Sequence, residues 1–447
     1  GDKLRESVSV LDFGADPTGQ TSSTLAFQKA FDYAAITSAS SAGPITTNLS
    51  VFVPAGLYYI DSTVSVDKRI GLYGEGANTV ITGSSPLASS PATCGFRFNS
   101  PATTGIAPHI HHLTFFGFNG GPCISIETSG AMVGSCFFSN SVSGVDLNSD
   151  SLGNAASDVV LSSCIFDQML ADVRAYSAVN VSILGCQSFL SSYGVQFLSS
   201  GTGNSDFLIS NCEFNYTKTS GITVDSSTNK NIQVSGCSFM LNQQHSSFVG
   251  FIYTGTSTAA TELFVKNCTF RNWKDYAVRF YGANVFVVGD CIFDANKTVA
   301  SYTQSAASKA IALTGCTLPV MVQNCQFRNI QNALIDGYVN SVCNLLHGAA
   351  TNSSTILGND GSCTLTPRGF ISSSGNALYG TQSDFGRLLQ VKGQVQFGDS
   401  VTGASTGVVL YENGADSGIL GYQNIPLSVW VNLTKSFIFN ATGSIHL

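Results

Sequence analysis

Phe207-Leu208-Ile209-Ser210-Asn211-Cys212-Glu213-Phe214 alternates apolar and polar residues and ends in Cys-x-Phe; Ile232-Gln233-Val234-Ser235-Gly236-Cys237-Ser238-Phe239, 25 residues on, does the same. A period of two puts Cys and Phe on one side of a strand and the residue between them on the other. The ending recurs as Cys136-Phe137-Phe138, Cys164-Ile165-Phe166, Cys268-Thr269-Phe270, Cys291-Ile292-Phe293 and Cys325-Gln326-Phe327, with Cys186 and Phe189 read as a stretched copy. From Cys136 the repeat cysteines are spaced by 28, 22, 26, 25, 31, 23 and 34 residues, a repeat with variable loops. Downstream of each comes a second short strand, such as Gly144-Val145-Asp146-Leu147, Gly194-Val195-Gln196-Phe197, Gly221-Ile222-Thr223-Val224 or Ala277-Val278-Arg279-Phe280. Strands this short bury no face alone, whereas coils stacked on coils share one continuous core. The expected fold is a parallel β-solenoid of about ten coils at ~4.8 Å spacing, with internal Cys and Phe ladders. Cysteine suits this interior as a small polarizable hydrophobe.

Composition agrees with that reading. Of 447 residues, 11 % are charged and 43 % apolar, with 45 Gly and a net charge of −7. Average soluble domains hold roughly 25 % charged residues, so Ser, Thr, Asn and Gly have replaced charge. This excludes disorder, which needs few apolar residues and high net charge, helix bundles, and basic nucleic-acid binders. The uncharged stretches 98–126 and 176–205 are broken by Gly, Ser, Asn or Pro and hold no transmembrane-length apolar run. The chain opens Gly1-Asp2-Lys3 with no signal-peptide pattern and is expected to be a trimmed piece.

The ends differ from the middle. Residues 21–36 read as the one helix, with Thr21 to Thr24 as N-cap candidates and Leu25, Phe27, Ala30, Phe31 and Ala34 as an apolar stripe. It would cap the open end of the solenoid against strand addition. After Asn376 come short strands at 390–397, 407–411, 418–422, 427–431 and 436–439. These are too short for a strong core of their own, so packing between chains is expected. The divisions are 1–20 neck and entry strand, 21–50 capping helix and loop, 51–345 parallel β-helix, 346–385 transition, and 386–447 a C-terminal β-rich trimerisation domain.

Val8-Ser9-Val10-Leu11-Asp12-Phe13-Gly14-Ala15-Asp16-Pro17-Thr18-Gly19, followed by the helix, resembles the entry motif of pectate-lyase-superfamily right-handed β-helices. Val51-Phe52-Val53-Pro54-Ala55-Gly56-Leu57-Tyr58-Tyr59-Ile60 and Gly71-Leu72-Tyr73-Gly74-Glu75-Gly76 are similar to the first coils of that family. Residues 2–10 resemble the neck of bacteriophage tailspikes. The tailspike resemblance implies a homotrimer on the virion that binds and depolymerises bacterial capsule or O-antigen outside the cell. No signature of the pectin-degrading members is present, which argues against pectin.

Chemistry on such a scaffold needs outward side chains, and strand parity selects them. Glycosidic hydrolysis needs two carboxylates, one of them protonated. Glu213, the residue between Cys212 and Phe214, points outward; Asp225 follows inward Val224; Asp167 flanks a turn. These three are the candidate acid/base set. Asp146 and Arg174 share an outward column in adjacent coils and are expected to form an ion pair. Arg271, Trp273, Lys274, Arg279 and Tyr281 form the candidate substrate-binding cluster, an aromatic for a sugar face with cations around it. Those cations would equally suit a uronate and a lyase acting by β-elimination, and a groove that only binds glycan is the third reading. His109, His111 and His112 lack the companions of a metal site, and His245 lies in a polar loop. No metal or other cofactor is expected, nor nucleic acid or membrane insertion.

Overall fold

The computed structural model describes residues 7–39, 50–84, 94–99, 108–149, 153–198, 203–225, 229–241, 250–254, 262–274, 276–281 and 285–294, and strand segments between 309 and 446. Three parallel sheets wind along the chain. The first runs from Ser7–Ser9 to Val320–Gln323 and has 12 strands; the second runs from Thr18–Ser22 to Ala350–Thr351 and has 13; the third runs from Val64–Val66 to Leu357–Gly358 and has 12. Each coil contributes one strand to each sheet, in that order. Successive coils pair in register, as Phe207, Leu208 and Ile209 do with Ile232, Gln233 and Val234. Cross-coil backbone hydrogen bonds therefore satisfy strands too short to form a sheet locally.

The turn from first to second sheet is two residues: one in the left-handed region, then the cysteine. Ser135, Ser163, Asn211, Asn267 and Asp290 have φ of 52°, 53°, 53°, 55° and 55° there, and Gly185 and Gly236 take the same place. Asn and Asp tolerate that region through local hydrogen bonding and Gly through its missing Cβ. The residue before each repeat cysteine is thus chosen by backbone geometry, a second layer of the repeat. Each thiol then turns inward and donates to carbonyls beside it. Cys212 Sγ lies 3.4 Å from Ser210 O and 3.5 Å from Ile183 O of the preceding coil. The ten described cysteines are free thiols, and the eight of the repeat are buried.

The phenylalanines stack as expected. Ring centroids lie 5.1 Å apart for Phe115–Phe138, 5.0 Å for Phe138–Phe166, 4.9 Å for both Phe214–Phe239 and Phe239–Phe270, and 4.8 Å for Phe270–Phe293, with ring planes within about 11°. The coil of Cys186 departs from the expected stretched copy. Register is kept, so Ser188 takes the ladder position between Phe166 and Phe214, and Phe189 falls in the outward column beside Asp167. The hydrogen-bond ladder cannot slip a residue to rescue one ring, because the whole coil would turn inside out.

The helix forms over Thr24–Ala39, and Thr21 and Ser22 belong to the strand before it. Ala26, Phe27, Ala30, Phe31 and Ala34 are buried. Phe27 packs on Tyr58 and Phe96 at 5.8 and 5.5 Å, which closes the first coils. The helix is not long and apolar enough to cross a membrane.

Two compact units divide at Arg368 and Gly369. The second contains a three-stranded sheet of Phe370–Ile371, Ala377–Tyr379 and Leu389–Val391. It also holds two antiparallel sheets, Gln394–Asp399 with Thr406–Asn413 and Asp416–Tyr422, and Leu427–Val431 with Thr434–Phe439 and Ile445–His446. The neck residues 1–6 lie outside the described residues, as does the loop holding His245.

Candidate functional site

The outward face of the third sheet brings arginines, acids and tyrosines together on neighbouring coils. One column, followed by strand register, reads Arg97, Ser125, Asp146, Arg174, Gln196, Thr223, Tyr253, Arg279. Beside it, just past the strand ends, run Glu127, Asn148, Tyr176 and Asp225, held by bonds such as Tyr176 N to Leu147 O at 2.9 Å and Asp225 N to Phe197 O at 3.0 Å. A third row begins the strands and includes Tyr193 and Tyr276. Two consecutive buried residues, Gly194-Val195 and Ala277-Val278, separate these tyrosines from Gln196 and Arg279, so residues three apart share the outward face. Five tyrosines stand on this face: Tyr176, Tyr193, Tyr253, Tyr276 and Tyr281.

Two arginines of the column are neutralised. Arg97 donates from Nε and Nη2 to Glu127 at 2.8 and 2.7 Å, and Arg174 donates likewise to Asp146 at 2.9 and 2.8 Å. Asp146 is the expected ion pair; burial raises its carboxyl pKa although Arg174 opposes the rise. Ser125 stands between the pairs in the column, donating to Glu127 at 3.2 Å and accepting from Asn148 at 3.0 Å. Asp225 is exposed, yet the surrounding protein raises its carboxyl pKa, with a hydrogen bond from Gln196 opposing. A carboxyl held above its usual value is what a proton donor requires. Farther along, the Arg279 guanidinium lies over the Tyr276 and Tyr281 rings at 4.7 and 4.5 Å, and Tyr253 meets Tyr281 edge-on at 5.8 Å.

The candidates named from sequence divide between two faces. Asp225, Arg279 and Tyr281 lie on the third-sheet face. Glu213 and Asp167 lie on the second sheet, two coils and two residues apart, about 12 Å by backbone geometry. Glu213 is exposed and accepts from Gln187 Nε2 at 3.5 Å; Asp167 accepts from Gln168 Nε2 at 3.2 Å. Arg271 shares Asp167's column through Phe189, Asn215 and Met240 and sits in register with Asp294. Lys274 follows in the turn. Trp273 is corrected outright: it is fully buried and packs edge-on against Phe293 at 6.3 Å, so its ring offers no face to a ligand. The left-handed Asn272 (φ 57°) turns the chain and sends Trp273 inside. Parity counting missed Tyr176, Tyr193, Gln196 and Tyr253. The paired small and apolar residues before Gln196 and Arg279 were the available signal. His111 stacks on Tyr73 at 5.5 Å with its Nδ1 2.7 Å from that of His112, and no group of three metal-ligating side chains occurs among the described residues.

Comparison with known proteins places this geometry in a family. The right-handed beta helix region model matches residues 103–262 and 171–336, and the model for rhamnogalacturonase A/epimerase, pectate lyase-like, matches residues 7–94. The chain belongs to the right-handed β-helix family. No curated protein matches it by sequence. Among solved structures, the catalytic unit of a GH87 alpha-1,3-glucanase from Streptomyces thermodiastaticus is similar at 17 % identity and TM-score 0.62, over 86 % of this chain and 71 % of that one. A mutant tailspike protein of E. coli bacteriophage HK620, in complex with a pentasaccharide, is similar at 14 % identity and TM-score 0.59, over 99 % and 90 %. PfbA, a surface adhesin of Streptococcus pneumoniae, is similar at 14 % identity and TM-score 0.51, over 93 % and 100 %. At such identities the likeness is one of fold.

Proposed function

We propose that this chain is a phage tailspike that binds and depolymerises bacterial surface polysaccharide, capsule or O-antigen, by endo-glycosidic hydrolysis as a homotrimer on the virion. The carrying observation is the third-sheet face, where five tyrosines, Arg279 and Asp225 line one continuous surface. Aromatic rings stack on the C–H faces of sugars, and the Gln, Thr and Asn between them bond hydroxyls. Similarity to a tailspike along nearly the whole chain supports the reading.

Asp225 serves as the proton donor to the leaving oxygen. The second carboxylate is Glu213 or Asp167, and because both lie on the second sheet they reach Asp225 across a subunit boundary. A cyclic trimer that sets the second-sheet face of one subunit against the third-sheet face of the next supplies that arrangement. Arg271 and Lys274 then join the groove from the same side as Asp167.

The test is Asp225→Asn, Glu213→Gln and Asp167→Asn, assayed for polymer chain length and new reducing ends. Asp225→Asn lowers cleavage by roughly 10²–10⁴ and keeps binding. Full activity in all three variants overturns the assignment, and an ultraviolet-absorbing unsaturated uronate in the product identifies a lyase. One observation favours a second reading, a non-catalytic glycan-binding adhesin: within one chain the three acids do not converge. Saccharide binding without any chain shortening selects it.

A further inference from the structure

Three arginines project from one column of the third sheet, and only two are neutralised. Arg97 and Arg174 each hold a carboxylate with two short bonds. Arg279 has no carboxylate within ion-pair distance among the described residues. Instead it is positioned by aromatics, Tyr276 three residues before it and Tyr281 two after, with its guanidinium over both rings. Its Nε is buried without an acceptor among the described residues. Ring faces attract the charge but accept no in-plane N–H bond, so donors at the rim of the guanidinium stay unsatisfied. A guanidinium held this way is ordered before any ligand arrives, and that lowers the cost of binding.

The acceptor that fits such a rim is a planar anion with two oxygens, which takes two parallel N–H bonds; a sugar hydroxyl takes one. We propose that Arg279 is an acid-recognition subsite, and that the polysaccharide of this protein carries a carboxylate-bearing sugar whose acid group docks on Arg279 while its ring stacks on Tyr253 or Tyr281. The proposal rests on the reading that this face binds polysaccharide. The chain's net charge of −7 bears on it as well. An overall negative field does not draw in an acidic polymer, so recognition falls to a local cation already in place.

The experiment measures binding of the full-length chain to a panel of purified capsular and O-antigen polysaccharides. Each is tested as isolated and after carbodiimide–borohydride reduction of its carboxylates to primary alcohols, which keeps the sugar sequence and linkages. The polymer that binds is expected to be acidic, and reduction weakens it at least about 10-fold, the worth of a bidentate charged hydrogen bond. Arg279→Gln shows the same loss on the native polymer and no added loss on the reduced one, and Arg279→Lys recovers part of it. A bound polymer that is neutral overturns the proposal, as does equal binding before and after reduction, or equal weakening of both forms by Arg279→Gln. In those cases the polysaccharide reading stands. Failure of the wild-type chain to bind any polymer removes that reading and this one with it. Should Arg279→Gln misfold, as judged by its thermal midpoint, the reduction comparison on the wild-type chain and Arg279→Lys decide.

Discussion

Asp172 stands in a column with Gly144, Gly194 and Gly221, where the phenylalanine ladder passes close. A Cβ on Gly144 would meet the Phe166 ring at 2.5 Å, and one on Gly194 would meet Phe214 at 2.5 Å. The aspartate fits because the ring it would strike is missing: Ser188 replaces it in the next coil. Asp172, Ser188, Phe166, Phe214, Cys186 and Cys212 line the small internal gap that results. Asp172 is 2 % exposed, and both its carboxyl oxygens and Ser188 Oγ lack hydrogen-bond partners of good geometry among the described residues. Two exceptions therefore explain each other, and they predict strong coupling. Ser188→Phe alone clashes with Asp172, and Asp172→Gly alone leaves a void. The double variant restores the ladder, with a coupling of roughly 1–3 kcal/mol read from denaturant unfolding. Burial, with the Asp167 charge adding to it, raises the Asp172 pKa from 3.8 to about 8. The folded chain thus keeps this proton where the unfolded chain has released it. Between about pH 4 and pH 8 the unfolded state binds fewer protons, so stability falls as pH rises, and the full penalty stands above pH 8. Asp172→Asn, which cannot ionise, flattens this slope by an amount on the order of a few kcal/mol. Thermal midpoints at pH 5 and pH 9 check it, and an unchanged slope refutes it.

Turns fix where each strand begins. The left-handed residue before each repeat cysteine from Cys136 to Cys291 aims the thiol and the residue two after it inward, so the repeat depends on backbone geometry as much as on hydrophobicity. Asn267, at φ 55°, tests this. Asn267→Gly is tolerated, whereas Asn267→Val costs roughly 1–2 kcal/mol, because a β-branched side chain crowds the carbonyl in that conformation. Equal midpoints for the two variants would show that the turn does not impose the conformation. The same reasoning explains the misplacement of Trp273. Counted from Arg271 it should face outward, but Asn272 adds a left-handed step and the count restarts inside.

For the whole molecule, the proposed division of acids between two faces makes activity depend on assembly. Light scattering on the intact chain is expected to give three times the 46.8 kDa chain mass. Mixing Asp225→Asn with Glu213→Gln chains, unfolded and refolded together, is expected to restore part of the cleavage that each homotrimer lacks, because some boundaries then hold two wild-type acids. A stable monomer, or mixed assemblies as inactive as their parents, speaks against a site shared between subunits.

The solenoid, its inward Cys and Phe positions, the capping helix and the Asp146–Arg174 pair were legible in the residues themselves. Each follows from a period of two, a repeat of 22–34 residues or a stripe of small apolar positions, all of which are local rules acting along the chain. Outwardness was legible as well: Glu213, Asp225, Arg279 and Tyr281 face away from the core. How the outward faces of the successive strands lie relative to one another was not, because that depends on how far each turn rotates the chain, and one left-handed residue or one pair of buried neighbours changes it. Only the tertiary structure showed how far Glu213 and Asp167 lie from Asp225, gathered five tyrosines from four coils onto one face, and left Arg279 without, among the described residues, the carboxylate partner that Arg97 and Arg174 have. Proximity between coils is set by hydrogen-bond register across 20 or more residues, and that register comes into being when the coils stack.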